Sequence, residues 1–120
     1  MTRGIRGAIT VDNNTIEDIK NATVTLLKEM IEKNEIELTA ISHAIFTLTK
    51  DINKVYPAKI ARTELNFDNV PMMCYQELDI ENSLEKCLRI LLVVNTEKQQ
   101  TEIKHVYLKG ASVLRPDLKN

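Results

Sequence analysis

Five arginines, Arg3, Arg6, Arg62, Arg89 and Arg115, stand beside eleven lysines in this chain of 120 residues. Arginine is the side chain suited to gripping a carboxylate in a fixed two-point geometry. Arg89 is the most telling of the five. It sits inside Cys87-Leu88-Arg89-Ile90-Leu91-Leu92-Val93-Val94, otherwise the most apolar stretch of the chain. A run that is apolar on both parities reads as a strand covered on both faces. A guanidinium does not shed its proton, so burial there requires an anionic partner. Either a carboxylate of this protein supplies it or a ligand does. Arg6 lies in the glycine-flanked segment Arg3-Gly4-Ile5-Arg6-Gly7, where small neighbours admit a ligand or another backbone. Arg115 precedes Pro116, where a tail can close over a site. Taken singly, each of these is more often a surface or ion-pair residue, and spacing alone does not bring them together.

Other chemistries find less support. Cys74 and Cys87 form no CxxC pair and are expected to stay reduced in a cytosolic chain. His43 and His105 fall in different segments, and no HExxH, Cys/His cluster or acidic loop points to a metal. A net charge of -1 provides no basic footprint for nucleic acid or an anionic membrane. Aromatics make up 4% of the chain, with no Trp, which disfavours a base-stacking platform. No apolar run reaches the roughly 18 residues of a membrane helix. Met1 leads straight into the Arg3–Gly7 segment without a hydrophobic signal core, so the expected location is the cytoplasm. The length suits a single domain over residues 1–120.

The elements that must position these side chains follow from pattern. Gly4 to Val11 reads as a first strand, ended by the turn Asp12-Asn13-Asn14. A helix follows, with Asn14 as its expected N-cap and Glu17 completing a capping-box-like arrangement. Ile16, Ile19, Thr23, Leu26, Leu27, Met30 and Ile31 fall on one face at helical spacing and read as core. Ala40 to Thr49 reads as a strand, although periodicity alone does not exclude a helix. Pro57 suits the first turn of a short helix running to Leu65. Val70 to Leu78, the Arg89 segment and Lys104 to Leu108 read as further strands, with Gly110 to Leu114 as a short extra one. Several strands with one dominant helix predict an α+β domain. One long helix covers one face of a sheet, so the doubly apolar Arg89 strand predicts that another subunit covers the other.

The sequence resembles the small, trimeric chorismate mutases of bacterial type, which are distinct from the all-helical ones. The resemblance rests on Arg3-Gly4-Ile5-Arg6-Gly7-Ala8 with Thr10-Val11, on Tyr56-Pro57-Ala58-Lys59 with Arg62, and on Val70-Pro71 with Cys74 and Gln76-Glu77. It continues in Lys86-Cys87-Leu88-Arg89, in His105-Val106-Tyr107-Leu108 and in Val113-Leu114-Arg115-Pro116-Asp117-Leu118. None of these is specific alone; in family order along nearly the whole chain they are highly so. The resemblance implies a mixed β-sheet packed against one long helix and a short helix, assembled as a barrel-like homotrimer with active sites at the subunit interfaces. The implied reaction is the rearrangement of chorismate to prephenate in aromatic amino-acid biosynthesis, a unimolecular Claisen rearrangement that needs no cofactor and no metal.

By the same resemblance, Arg89 is the cation aimed at the ether oxygen of the substrate, and Arg6 clamps a carboxylate. Glu77 accepts the ring hydroxyl and positions its neighbours, and Tyr107 donates a hydrogen bond. Cys74 is a nearby polar contact, not a nucleophile. Tyr56, Ala58, Lys59 and Arg62 come from the adjacent subunit, and Leu114 and Arg115 belong to a closing C-terminal segment. If Cys74 to Glu77 formed one regular strand, those two side chains would face opposite ways. Both reach one pocket only if the strand ends or bulges between them. Tyr56 stands where the family commonly has Phe. Met72 and Met73 replace a smaller, more polar pair that often carries a backbone contact. Two rivals share such a pocket: an imine-deaminase-like enzyme on a similar trimer, and a non-catalytic dicarboxylate-binding protein.

Overall fold

The computed structural model describes residues 1–114, so Arg115 and the segment after it lie outside the described residues. Thr15 starts the longest helix, α1 (Ile16–Lys33): its side-chain oxygen accepts the Asp18 N–H at the first turn. Asn14, the expected cap, instead exchanges hydrogen bonds with Asn53, through Asn14 Nδ2 to Asn53 Oδ1 and from the Asn53 N–H to Asn14 Oδ1. The apolar stripe buries Ile19, Ala22, Thr23, Leu26, Leu27 and Met30. Ile16, at the helix start, stays 59% exposed.

The strands are β1 (Thr2–Thr10), β2 (Ile41–Leu48), β3 (Met72–Gln76), β4 (Cys87–Asn95) and β5 (Val106–Leu108), with the short helix α2 (Pro57–Leu65) between β2 and β3. They form one mixed sheet in the order β3-β2-β4-β1-β5. The pairs β1·β4 and β2·β4 are antiparallel, whereas β1·β5 and β2·β3 are parallel. Pro57 occupies the first turn of α2, where its missing N–H costs nothing, and Asn66 ends the helix in the left-handed region at φ 61°. The segment 109–114 is a 3-10 helix (Lys109–Leu114) and not the expected extra strand. Its lead residue, Lys109, takes φ 51°, which turns the chain out of the sheet directly after β5.

Side chains alternate across the sheet. Ile5, Ile9, Ala44, Phe46, Leu88, Ile90, Leu92 and Val94 are buried on the helix side, where they form one core with α1, α2 and Phe67. Gly7 belongs to this face: a β-carbon there would collide with the Met30 side chain, so the glycine lets α1 lie close on the sheet. The described residues cover the opposite face only partly. Ile45, Leu91 and Val93 remain half-buried, and Met73 and Tyr75 are 59% and 49% exposed. The expectation that both faces of the Arg89 strand are covered is therefore met on one face by this chain. On the other face, among the described residues, a small cluster of Ala8, Cys87, Tyr107 and Ala111, flanked by Leu84 and Leu114, closes over the end nearest Arg89.

Candidate active site

Register places the chemistry. Tyr107 pairs with Ala8, Ala8 with Arg89, Arg89 with Thr47, and Thr47 with Tyr75. These five residues form one row across all five strands, on the face away from the helices. The next row runs from Arg6 through Leu91 and Ile45 to Met73. Arg6 and Arg89 thus lie on the same face, diagonal neighbours on adjacent strands, with the small side chain of Ala8 between Tyr107 and Arg89. Arg6 is exposed, and its backbone N–H donates to His105 Nδ1 at 3.0 Å, so His105 extends the β1·β5 ladder by one bond. Tyr107 is buried at 2% exposure, and Leu114 packs against the same cluster.

Glu77 follows the end of β3. Its backbone N–H donates to Leu48 O at 2.8 Å, continuing the β2·β3 pairing one step further. Its side chain reaches Arg89: Nε lies 3.4 Å from Glu77 Oε2, with the two side chains 29% and 25% exposed. That separation is an ion pair but not a well-formed hydrogen bond, and the buried Nε finds no hydrogen-bond partner among the described residues. The same carboxylate oxygen accepts the Thr47 hydroxyl at 2.5 Å. One carboxylate oxygen thus faces a donor and a cation together.

The approach to β4 is fixed by a second polar group. Asp51 accepts the Thr49 hydroxyl and, with both carboxylate oxygens, the Lys86 N–H at 3.1 and 3.0 Å. Thr49 Oγ1 in turn accepts the Cys87 N–H at 2.9 Å. Lys86 sits at φ 45°, a conformation these bonds stabilise, and β4 starts one residue later. Burial raises the Asp51 carboxyl, but the donors from Thr49 and Lys86 outweigh it and hold the group below its ordinary value. Burial also raises the Cys87 thiol, against the opposing pull of Arg89.

The remaining sequence-predicted residues gather elsewhere. Met72 and Cys74 pair with Ala44 and Phe46 and share the helix-side face, whereas Met73 points to the Arg89 side. β3 ends at Gln76, before Glu77, yet within one chain the two side chains still diverge: Cys74 packs on the helix-side core, whereas Glu77 reaches Thr47 and Arg89. Cys74 lies instead with Ala58 and Arg62, and burial pushes its thiol up while the nearby Ala58 backbone and Arg62 pull the other way. Tyr56 is 71% exposed, Lys59 and Arg62 are exposed on α2, and Ala58 is buried beneath them. A groove of about 400 Å³ runs between Tyr56 and Cys74, floored by Leu48 and Val55 and edged by Lys50 and Gln76. A second, of about 510 Å³, is lined by Glu77, Lys50, Asp51 and the loop to Glu85. Arg89 lines neither of them. The chain thus presents two clusters: Arg6, Glu77, Arg89, Tyr107 and Leu114 on the open sheet face, and Tyr56, Lys59, Arg62 and Cys74 around the β3 edge and α2.

Thr47 and Asp51 were not among the residues singled out from sequence. The Thr-x-Asp spacing of Thr49 and Asp51 is a turn signal that points to Asp51. Nothing local points to Thr47, because its importance comes from lying opposite Arg89.

Among the described residues, the open face of the mixed sheet thus pairs one half-buried guanidinium with one carboxylate. The family model for chorismate mutase type I matches residues 2–118. The chain is 42% identical over 118 residues to chorismate mutase AroH of Bacillus subtilis, covering 98% of this chain and 93% of that protein. It is 41% identical over 121 residues to chorismate mutase AroH of Thermus thermophilus, covering 100% of this chain and 98% of that one. The solved structure of a chorismate mutase from Clostridium thermocellum matches with a TM-score of 0.90 and 48% identity, over 92% of this chain and 98% of the other. The chain belongs to the chorismate mutase type I family.

Proposed function

We propose that this chain, a chorismate mutase by family, rearranges chorismate to prephenate in a pocket built from both of its clusters, each contributed by a different copy in a homotrimer. The observation that carries the site assignment is the half-buried Arg89, whose Nε lies 3.4 Å from Glu77 Oε2 yet lacks a hydrogen bond among the described residues. Such a cation is poised for an anionic partner. The reaction is intramolecular: one C–O bond breaks as one C–C bond forms, and the ether oxygen gains negative charge in between. A cation fixed at that oxygen binds the transition state better than the ground state. Arg89 takes this role. Glu77 accepts the ring hydroxyl, Arg6 holds a carboxylate and Tyr107 donates to the same region. Holding the flexible substrate in its folded conformer adds an entropic share.

The shared pocket is supported by the separation of the two clusters. Cys74 faces the helix side and Glu77 the open side, so one copy cannot readily point both at one small molecule. Tyr56, Lys59, Arg62 and Cys74 of one copy facing Arg6, Glu77 and Arg89 of the next reunites them. The open face, with Leu91, Val93, Ile45 and the exposed Met73, is the surface suited to such packing. Met72 supports the β3 edge of the pocket, and Leu114 borders its mouth. The match over residues 2–118 supports reading the chain as one chorismate mutase domain. The setting that fits it is the cytoplasm, where Cys74 and Cys87 stay as free thiols. Among the described residues no helix is long and apolar enough to cross a membrane. The comparisons give no support to the imine-deaminase-like or dicarboxylate-binding alternative.

The test is a direct assay of the purified protein with chorismate, following loss of its ultraviolet absorbance and formation of prephenate. Saturable turnover that survives EDTA is expected. Binding of chorismate without turnover by a correctly assembled protein would overturn the reading in favour of a binding protein.

A further inference from the structure

Thr47 lies on β2, directly opposite Arg89 of β4. Its hydroxyl donates to Glu77 Oε2 at 2.5 Å, the oxygen that also lies 3.4 Å from Arg89 Nε. That length is typical of a hydroxyl bound to a carboxylate, the stronger class of hydrogen bond. Both contacts fall on Oε2, which leaves Oε1 for a ligand. The Glu77 backbone is held by Leu48 O, the neighbour of Thr47, at 2.8 Å. One two-residue step of β2 therefore fixes both the main chain and the side chain of Glu77. We propose that Thr47 is a positioning residue, which pins the Glu77 carboxylate so that Oε1 stays open to the substrate and Arg89 is not captured in a closed two-point ion pair. The proposal rests on the reading of Glu77 and Arg89 as the centre of a chorismate mutase site, and it deepens that reading.

The physical consequence is a competition. A carboxylate free to rotate beside a guanidinium settles into the bidentate arrangement, which consumes two of the donors that would otherwise meet the substrate. A hydroxyl donor on Oε2 opposes that rotation and draws off part of its charge. Thr47 thereby keeps the cation available for the charge that develops in the transition state. The loss on removing it belongs mainly in kcat, with little change in KM.

Thr47→Val keeps the volume and the β-branching of a strand residue and removes the donor; Thr47→Ser keeps the donor. We expect kcat of Thr47→Val to fall about tenfold, the cost of one lost hydrogen bond to a charged group, and Thr47→Ser to stay within about threefold of wild type. In a Glu77→Ala background the further loss from Thr47→Val should vanish, since the two residues act through one contact. A crystal structure of Thr47→Val should show the Glu77 carboxylate turned towards Arg89. The proposal is overturned if Thr47→Val has wild-type kcat, if it loses as much activity without Glu77 as with it, or if the carboxylate stays in place. Failure of the wild-type protein to turn over chorismate would sink the functional reading instead, and the crystal structure would still decide whether Thr47 positions Glu77.

Discussion

At the scale of the residue, the site turns on incomplete satisfaction. Among the described residues Arg89 has one carboxylate nearby, and that carboxylate is shared with Thr47. A closed two-point ion pair would use both carboxylate oxygens and two of the three guanidinium nitrogens. The open geometry supports the proposed ligand role of Arg89. Replacing Arg89 by Ala or by Lys should leave the fold intact and lower kcat by roughly 10²-fold or more, since even Lys lacks the planar fork. Steady-state kinetics on folded variants checks this, and near-normal turnover in either would refute the electrostatic role. Cys74 is the contrasting case. Burial pushes its thiol up, which leaves it protonated near neutral pH and ill suited to attack.

At the scale of the element, two devices support the sheet that carries Arg89. The first is Asp51, which ties the turn at Lys86 to the end of β2 through Thr49. Its folded-state carboxyl lies below the ordinary value, so its stabilisation is fully present above the unfolded-state value of about 3.9 and is lost as pH falls through the lower folded value. Asp51→Asn should therefore lower stability by about 1–3 kcal/mol at neutral pH. Melting temperatures of wild type and variant should converge as pH drops below about 4, where the wild-type carboxylate protonates too; a difference that persists unchanged into that range would count against this role. The second device is Gly7, where β1 meets Met30 of α1. Gly7→Ala should cost about 1–3 kcal/mol through overpacking, measurable by urea denaturation. An unchanged midpoint would mean that the Met30 side chain moves aside freely.

At the scale of the whole molecule, the proposed trimer makes a sharp demand. If Arg89 and Arg62 meet in one pocket only across two copies, then Arg89→Ala and Arg62→Ala proteins are each impaired at every site. Mixed after unfolding and refolding together, they should form some pockets with neither substitution and regain a measurable share of wild-type activity. No recovery, with mixed assembly verified by mass spectrometry, would place the whole pocket within one chain. Sedimentation should show a trimer, and Leu91→Lys on the open face should break it to monomers.

Much of this molecule was legible in the order of its residues. The helix from Ile16, the strand of Arg89, the turn at Pro57 and the α+β class all follow from local periodicity and turn chemistry, which depend on neighbours a few places away. The family motifs also stand in plain view. The limits were equally physical. The cap fell to Thr15 because Asn14 is held by Asn53, far along the chain, and the 3-10 helix starts at Lys109, a residue at positive φ. Above all, the row Tyr107, Ala8, Arg89, Thr47, Tyr75 joins five strands whose pairing partners lie up to a hundred residues apart. Register is set by which faces pack against α1 and α2, a property of the whole sheet. The sequence alone therefore determined which residues carry the charge and which elements they ride on. Only the tertiary structure decided that Thr47 meets Glu77, and that Cys74 turns away from it, because those contacts are made across strands and not along them.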